Sequence, residues 1–348
     1  MRRYWKRWLS CLTKYSHRRR NTQSCLSRQR GVPDARTAGT DQPARSMNKL
    51  ATAALAAIIA APLNGQESAW PDDLLDRVRQ AADDVPGAPP ESVNFIKFAE
   101  SHRTYAAVIE GGSDEPFVSA RTAFQVVYPD GSLMIDAGMD EAVHRFYGFG
   151  RDEPYWQDRN DRVQAALSAA NLIVVTHEHG DHVAGILRSP DRDAIAAKAI
   201  LTETQVHTLI TAPQLPEIGI TEQQARDYRV VDYRQYLPVA PGVVLIKAPG
   251  HTPGHQMVYV RLAEGTEYLF IGDVGWLMEN VTELKLRPAE TIERIGEDPE
   301  ALMAQLVWLN SLADQGLVLV PSHDDRLLNR YAAQGLLGND LALPAGND

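Results

Sequence analysis

Thr176-His177-Glu178-His179-Gly180-Asp181-His182 follows directly on the apolar run Leu172-Ile173-Val174-Val175. A buried strand running into a loop with three histidines and two carboxylates is an unusual use of residues. Histidines two apart project from a turn to one side, so His177 and His179 are read as sharing one metal ion. Asp181 and His182 point elsewhere and suit a second ion. Imidazole with carboxylate matches zinc and similar divalent cations.

Two residues per ion are too few, so the remaining ligands must come from distant sequence. Three segments offer them: His251 in Pro249-Gly250-His251-Thr252-Pro253-Gly254-His255, Asp273 in Ile271-Gly272-Asp273, and His323 in Pro321-Ser322-His323-Asp324. The expected arrangement is His177, His179 and His251 on the first ion and Asp181, His182 and His323 on the second. Asp273 would bridge the two with its two oxygens. A pair of divalent ions activates a shared water and polarises a carbonyl or phosphoryl oxygen. Asp181 is expected to double as the catalytic residue that moves the proton.

The His-x-His-x-Asp-His signature with these later ligands resembles the metallo-β-lactamase superfamily over roughly residues 93–330. The resemblance implies an α/β fold, a four-layer αββα sandwich forming a single catalytic domain with a dinuclear site at one edge. Within the superfamily the motifs look closest to the acyl-homoserine lactonases. The shared stretches are Ile135-Asp136-Ala137-Gly138-Met139, Pro249 to Gln256 and the terminal His323-Asp324. Asp273 sets the chain apart from the true metallo-β-lactamases, which generally lack a bridging carboxylate there. Glyoxalase II resembles the Gly250-His251-Thr252 and Gly272-Asp273 segments but differs around the last histidine. One departure from the lactonases stands out: the tyrosine that often follows the bridging Asp by three positions is here Trp276, whose indole N–H is still a donor.

The implied activity is hydrolysis of a small-molecule lactone or other carboxylic ester by a hydroxide held between two Zn2+ ions per chain, other divalent ions being possible. The alternatives are β-lactam or thioester hydrolysis, or an iron-containing redox member of the same fold. Trp276, Met278 and His207 are candidate pocket residues. His255 and Asp324 are expected to support the ligands from behind, and Glu178 to face solvent or do the same. Asp136 and Gly138 are expected to hold the turn beneath the site, Gly138 by adopting a positive φ.

Around these motifs the pattern predicts strands at 93–98, 106–109, 199–201, 243–247, 257–260, 268–271 and 318–320. Phe124–Tyr128 and Leu133–Ile135 flank Pro129-Asp130-Gly131 as a hairpin, because that tripeptide favours a turn. Apolar residues at 163, 166, 167 and 170 mark a helix. Asp298-Pro299 supplies an N-cap and first-turn proline for another, with Leu302, Leu306, Leu309 and Ala313 on its apolar face. Residues 203–240, with prolines at 213, 216 and 238, read as an irregular flap with a polar helix near 221–228. Each ligand motif follows a short apolar strand, which would gather the ligands on one sheet edge.

The 348 residues carry a net charge of −10, but unevenly. Residues 1–46 hold 12 of the 35 Lys/Arg and only 2 of the 45 Asp/Glu. The remainder is therefore strongly acidic, repels phosphate backbones and argues against a nucleic-acid partner. Residues 1–46 read as a basic, disordered upstream segment, consistent with a start at Met47. Residues 47–65, a short positive start and an apolar run, read as a signal peptide too short to span a membrane. Export to the periplasm or beyond follows, without a stable membrane anchor. Cys11 and Cys25 both precede Met47, so the exported part would have neither disulfide nor thiolate ligand. Residues 66–92 are expected to form a lead-in, 93–338 the domain and 339–348 a loose tail.

Overall fold

A computed structural model describes residues 70–344. The segments read as upstream arm and signal peptide lie outside the described residues. Eleven strands form two sheets, each in sequential order. The first holds β1 (Ser92–Thr104), β2 (Pro116–Tyr128), β3 (Gly131–Ile135), β4 (Leu172–Val174), β5 (Ala199–Thr202) and β6 (Arg229–Val231). The second holds β7 (Tyr236–Ala240), β8 (Val243–Lys247), β9 (Gln256–Arg261), β10 (Glu267–Gly272) and β11 (Val318–Pro321).

Alternation along the strands explains the layers. Leu133, Ile135, Leu172 and Val174 of the first sheet face Val243, Leu245, Val258, Val260 and Phe270 of the second, forming the core between sheets. The intervening residues point outward. Met134, Ile173 and Val175 pack on helices 157–169 and 180–187 through Val163, Leu167, Val183 and Ile186. Val244, Ile246, Tyr259 and Leu269 pack on helices 74–83 and 299–311 through Leu74, Val78, Leu302 and Leu306. Both faces of both sheets are covered, which is why the strands read as unbroken apolar runs rather than alternating ones. The result is the expected four-layer αββα sandwich.

The sequence reading departs from the structure in several places. Residues 105–108 form a single helical turn instead of a strand. The lead-in contributes a full outer-layer helix at 74–83. Residues 203–240 are not an irregular flap: they contain helix 203–211, two short 3-10 turns, β6 and β7, and carry the chain from one sheet to the other. The helix was hidden by its β-branched residues, although Thr202 and Gln205 form a reciprocal capping box at its start. Finally, the tail is held as far as residue 342. Leu341 is buried, and the Gln125 side chain both donates to and accepts from the backbone of Ala342.

β1 is the outer strand of its sheet, and two segments cover its free side. Gly338 exchanges backbone hydrogen bonds with Val93 and Phe95 at one end. Pro154 and Trp156 do the same with Glu100 and Phe98 further along. Among the described residues no helix is long and apolar enough to cross a membrane.

Candidate metal centre

β8, β10 and β11 run in the same direction, since β10 and β11 are parallel and β9 lies antiparallel to both β8 and β10. Their C-terminal ends therefore open on one edge, delivering His251, Asp273 and His323. β4 delivers the 176–182 loop to the same place. The loops are tied to each other: Gln256 donates from its backbone to Thr176 O and from its side chain to Val175 O. Gln205, from the segment expected to be a flap, bridges Val175 O and Gly254 O. Glu178 points away from the cluster and clamps the 250–254 turn by accepting from Thr252 Oγ1 and Gly254 N.

The seven expected ligands converge. His177, His179 and His251 form one group, and Asp181, His182 and His323 a second, the potential ligand atoms of each lying within 4.8 Å of one another. His179 Nδ1 and His251 Nε2 are 3.0 Å apart. Asp181 Oδ2 lies 3.6 Å from both His182 Nε2 and His323 Nε2. Asp273 stands between the groups. Its Oδ2 is 3.3 Å from His251 Nε2, 3.9 Å from His177 Nε2 and 3.2 Å from His323 Nε2, and its Oδ1 is 3.5 Å from His182 Nε2.

The ring nitrogens facing outward are occupied. His182 Nδ1 donates to Asp136 Oδ2 at 2.8 Å, His251 Nδ1 to Glu297 Oε1 at 2.5 Å, and His323 Nδ1 to Ala120 O at 2.7 Å. Holding the outer N–H fixes each ring and turns the other nitrogen inward, as metal-binding histidines require. His177 Nε2, His182 Nε2 and Asp273 Oδ1 are buried without a hydrogen-bond partner. Unpaired polar atoms in a dry site are costly unless a further group completes them, and a divalent cation would do so. This donor set fits one.

Electrostatics agree with that reading. Burial, and then the neighbouring His182, drive His177 well below the usual histidine value. Burial does the same to His251 and brings His179 to about 4, so these rings are neutral near pH 7 and free to donate a lone pair. Burial also opposes charge on His182, but Asp181, Asp136 and Asp273 around it win and raise it to about 9. The proton it holds without metal occupies the place of a cation. Burial raises Asp181, yet His182 and Arg121 outweigh it and bring its carboxyl to about 2. That suits an ionised ligand.

Several supporting residues escaped the sequence reading. Arg121, from β2, is buried and ion-paired to Asp181. Arg287 pairs with Glu297 behind His251, its Nε donating to Oε2 at 2.9 Å. Asp136 does more than shape a turn: it receives the Thr176 N–H at 2.7 Å as well as His182. It does so from a left-handed backbone, φ 61°, that non-glycine residues rarely adopt. The one charged side chain in the thirteen residues of β2 was the available signal for Arg121. Glu297 and Arg287 sit in loops with no local mark.

The other expected residues divide. His255 Nε2 accepts the backbone N–H of Asp273 at 3.1 Å, and its ring, lowered to about 3 by burial, stays neutral to do so. Gly272 makes this possible: its φ is +54°, and a Cβ there would lie 2.5 Å from His255 Nε2. Asp324 caps helix 325–333 through Leu327 N and accepts from Met278 N. Trp276 borders the cluster, but its indole donates to Asp273 Oδ2 at 2.7 Å instead of standing free. Met278 packs against the outer apolar layer of the second sheet, and His207 is exposed on helix 203–211.

The sequence profile of the metallo-beta-lactamase superfamily matches residues 118–323, from β2 to the last histidine. The chain belongs to the metallo-beta-lactamase superfamily. Solved structures with the same superfamily architecture include a quorum-quenching N-acyl homoserine lactone lactonase, 17% identical, covering 69% of this chain and 95% of its own at a TM-score of 0.55. An N-acyl homoserine lactone hydrolase with its product N-hexanoyl-L-homoserine at the catalytic metal center is 16% identical, covering 70% and 96% at 0.55. A probable metal-dependent hydrolase from Staphylococcus aureus is 14% identical, covering 69% and 91% at 0.52. At such identities the likeness is one of fold. No curated protein matches the sequence significantly. The superfamily fold and the His/Asp clusters together imply a divalent metal.

Proposed function

We propose that this superfamily member is a dinuclear zinc hydrolase that opens a lactone or another carboxylic ester. The observation that carries the reading is Asp273, whose two oxygens reach both histidine groups at 3.2 to 3.9 Å. His177, His179 and His251 would hold one ion, Asp181, His182 and His323 the other, and Asp273 both. When bound, such ions lower the pKa of water towards neutrality and polarise an ester carbonyl.

The chain's own residues keep that chemistry in register. Asp136 and Glu297 fix the rings of His182 and His251. His255 fixes the backbone of Asp273, and Trp276 one of its oxygens. The surrounding burial excludes competing water and strengthens every charge interaction in the site. The lactone hydrolases among the fold relatives support an ester as substrate, as does the terminal His323-Asp324. Export by way of residues 47–65 belongs to the same proposal, and N-terminal sequencing of the protein recovered from its native compartment tests it.

Elemental analysis of the purified protein, with hydrolysis of a lactone panel before and after chelation, tests the function. Two zinc ions per chain and chelator-sensitive lactone opening support it. One iron per chain without hydrolysis, or turnover of a β-lactam or thioester and no lactone, overturns it.

A further inference from the structure

Helix Met278–Thr282 and helix 325–333 border a cleft of about 330 Å3, within the size range of small-molecule sites. None of the seven metal ligands lines it. Its walls carry the side chains of Met278 and Leu327 and the methyl group of Thr282. Two carboxylates also line it, and both are already engaged. Asp324, buried, accepts the backbone N–H of Leu327 at 3.0 Å and of Met278 at 3.1 Å. Glu279 is ion-paired to Arg326, whose guanidinium lies 6.0 Å over the Tyr105 ring. That leaves Arg330, exposed one helical turn beyond Arg326, as the lining cation that pairs with no carboxylate among the described residues.

A guanidinium beside apolar side chains matches a ligand with one carboxylate on an apolar chain. The guanidinium takes a carboxylate through two parallel N–H···O bonds, and Met278 and Leu327 gain by excluding water from the chain. We propose that this cleft is a second binding site, separate from the metal centre, for a medium-chain carboxylate. It touches the metal centre through two short stretches of backbone. Asp324 follows His323, and Met278 stands two residues after Trp276, whose indole holds Asp273. The Met278 N–H to Asp324 hydrogen bond joins the two stretches. A ligand that shifts the helices loads that bond, and with it the seating of His323 and Asp273, which couples the two sites. Resting on the ester-hydrolase reading, the cleft is a sensor for the class of acid that the reaction releases.

The test is calorimetric titration of the full, metal-loaded chain with octanoate, repeated after chelation, for wild type, Arg330→Gln and Thr282→Trp. Both substitutions fall at exposed positions outside the ligand set. Wild type is expected to bind octanoate with a Kd at or below about 1 mM, and to keep that binding without metal. Arg330→Gln should weaken it about tenfold. Thr282→Trp, which fills the cleft, should abolish it, and 1-octanol, with the chain but no charge, should bind about tenfold more weakly than octanoate. During lactone hydrolysis, saturating octanoate should lower the wild-type kcat at least about twofold at unchanged KM and spare Arg330→Gln at the same concentration. The site is overturned if octanoate does not bind, if all binding vanishes on chelation because the carboxylate sits on the metals, or if neither substitution changes it. Arg330-dependent binding with an unchanged kcat overturns the sensor role. A chain that binds octanoate through Arg330 but opens no ester keeps the site and refutes the ester-hydrolase reading.

Discussion

The two halves of the site are built from similar ligands on dissimilar foundations. In the first half, His177 is held by the Thr176 hydroxyl and His251 by the buried Glu297–Arg287 pair. Asp181, His182 and His323 rest on the first sheet: Asp136 follows β3, and Arg121 and Ala120 belong to β2. Each half takes ligands from both sheets, the loop after β4 and a strand end of the second sheet, and Asp273 is the single carboxylate that reaches both. The lesson is that halves assembled from the same two sheets can still rest on separate foundations, so damage to one foundation should be felt on one side.

The largest expected effect comes from removing the joint. Asp273→Asn keeps the size but not the charge, and should lower ester hydrolysis at least about a hundredfold, with loss of at least one bound metal by elemental analysis. Activity within threefold of wild type would show that the halves do not need a common carboxylate. Next come the foundations. Glu297→Gln should weaken the first ion by roughly 10- to 100-fold and leave the second unchanged, while Asp136→Asn should do the converse. Asn tolerates the left-handed backbone, so that variant isolates the charge. Equal loss at both positions from either change would erase the distinction between the halves.

The same contrast appears in the metal-free protein as a pH profile of its melting temperature. The neutral rings of His177, His179, His251 and His255 have lowered values. Their unfolded counterparts titrate near 6.5, so the unfolded state takes up protons first and stability falls as pH drops from about 6.5 towards 4. His182, raised to about 9, does the opposite. Its contribution is complete below about 6.5 and is lost as pH rises to 9. Metal-free protein should therefore melt highest near pH 6.5, with the steeper fall on the acid side, and metal should flatten both limbs. A melting temperature that still climbs from pH 7 to 9 without metal would contradict the charge on His182. The smallest effect is expected from Trp276→Phe. It removes one hydrogen bond to Asp273, worth about 1 kcal/mol, and should lower kcat/KM about fivefold.

The ligands were legible because each sits in a short motif at a strand end, and because metal geometry demands those residue types whatever surrounds them. The strands were legible from their apolar runs. The foundations were not. Arg121 is one residue in a thirteen-residue strand, and its partner lies sixty positions away. Glu297 and His251 meet across forty-six. No local period encodes such pairings; they arise only when the sandwich closes. Helix 203–211 was missed for another reason: its Thr, Val and Ile content favours a strand by propensity, while its capping box and its packing on the first sheet decide otherwise.

The cover over β1 has a consequence outside catalysis. A sheet that ends in an unpaired strand presents a row of free N–H and C=O groups on which another chain can add. Here the backbone around Gly338 and the stretch from Pro154 to Trp156 occupy those groups at both ends of β1. The final residues thus act as a guard against self-association. A chain cut after Leu337 would keep every metal ligand and still expose a ready template for fibre-like stacking, so its failing would be solubility on storage long before any loss of turnover.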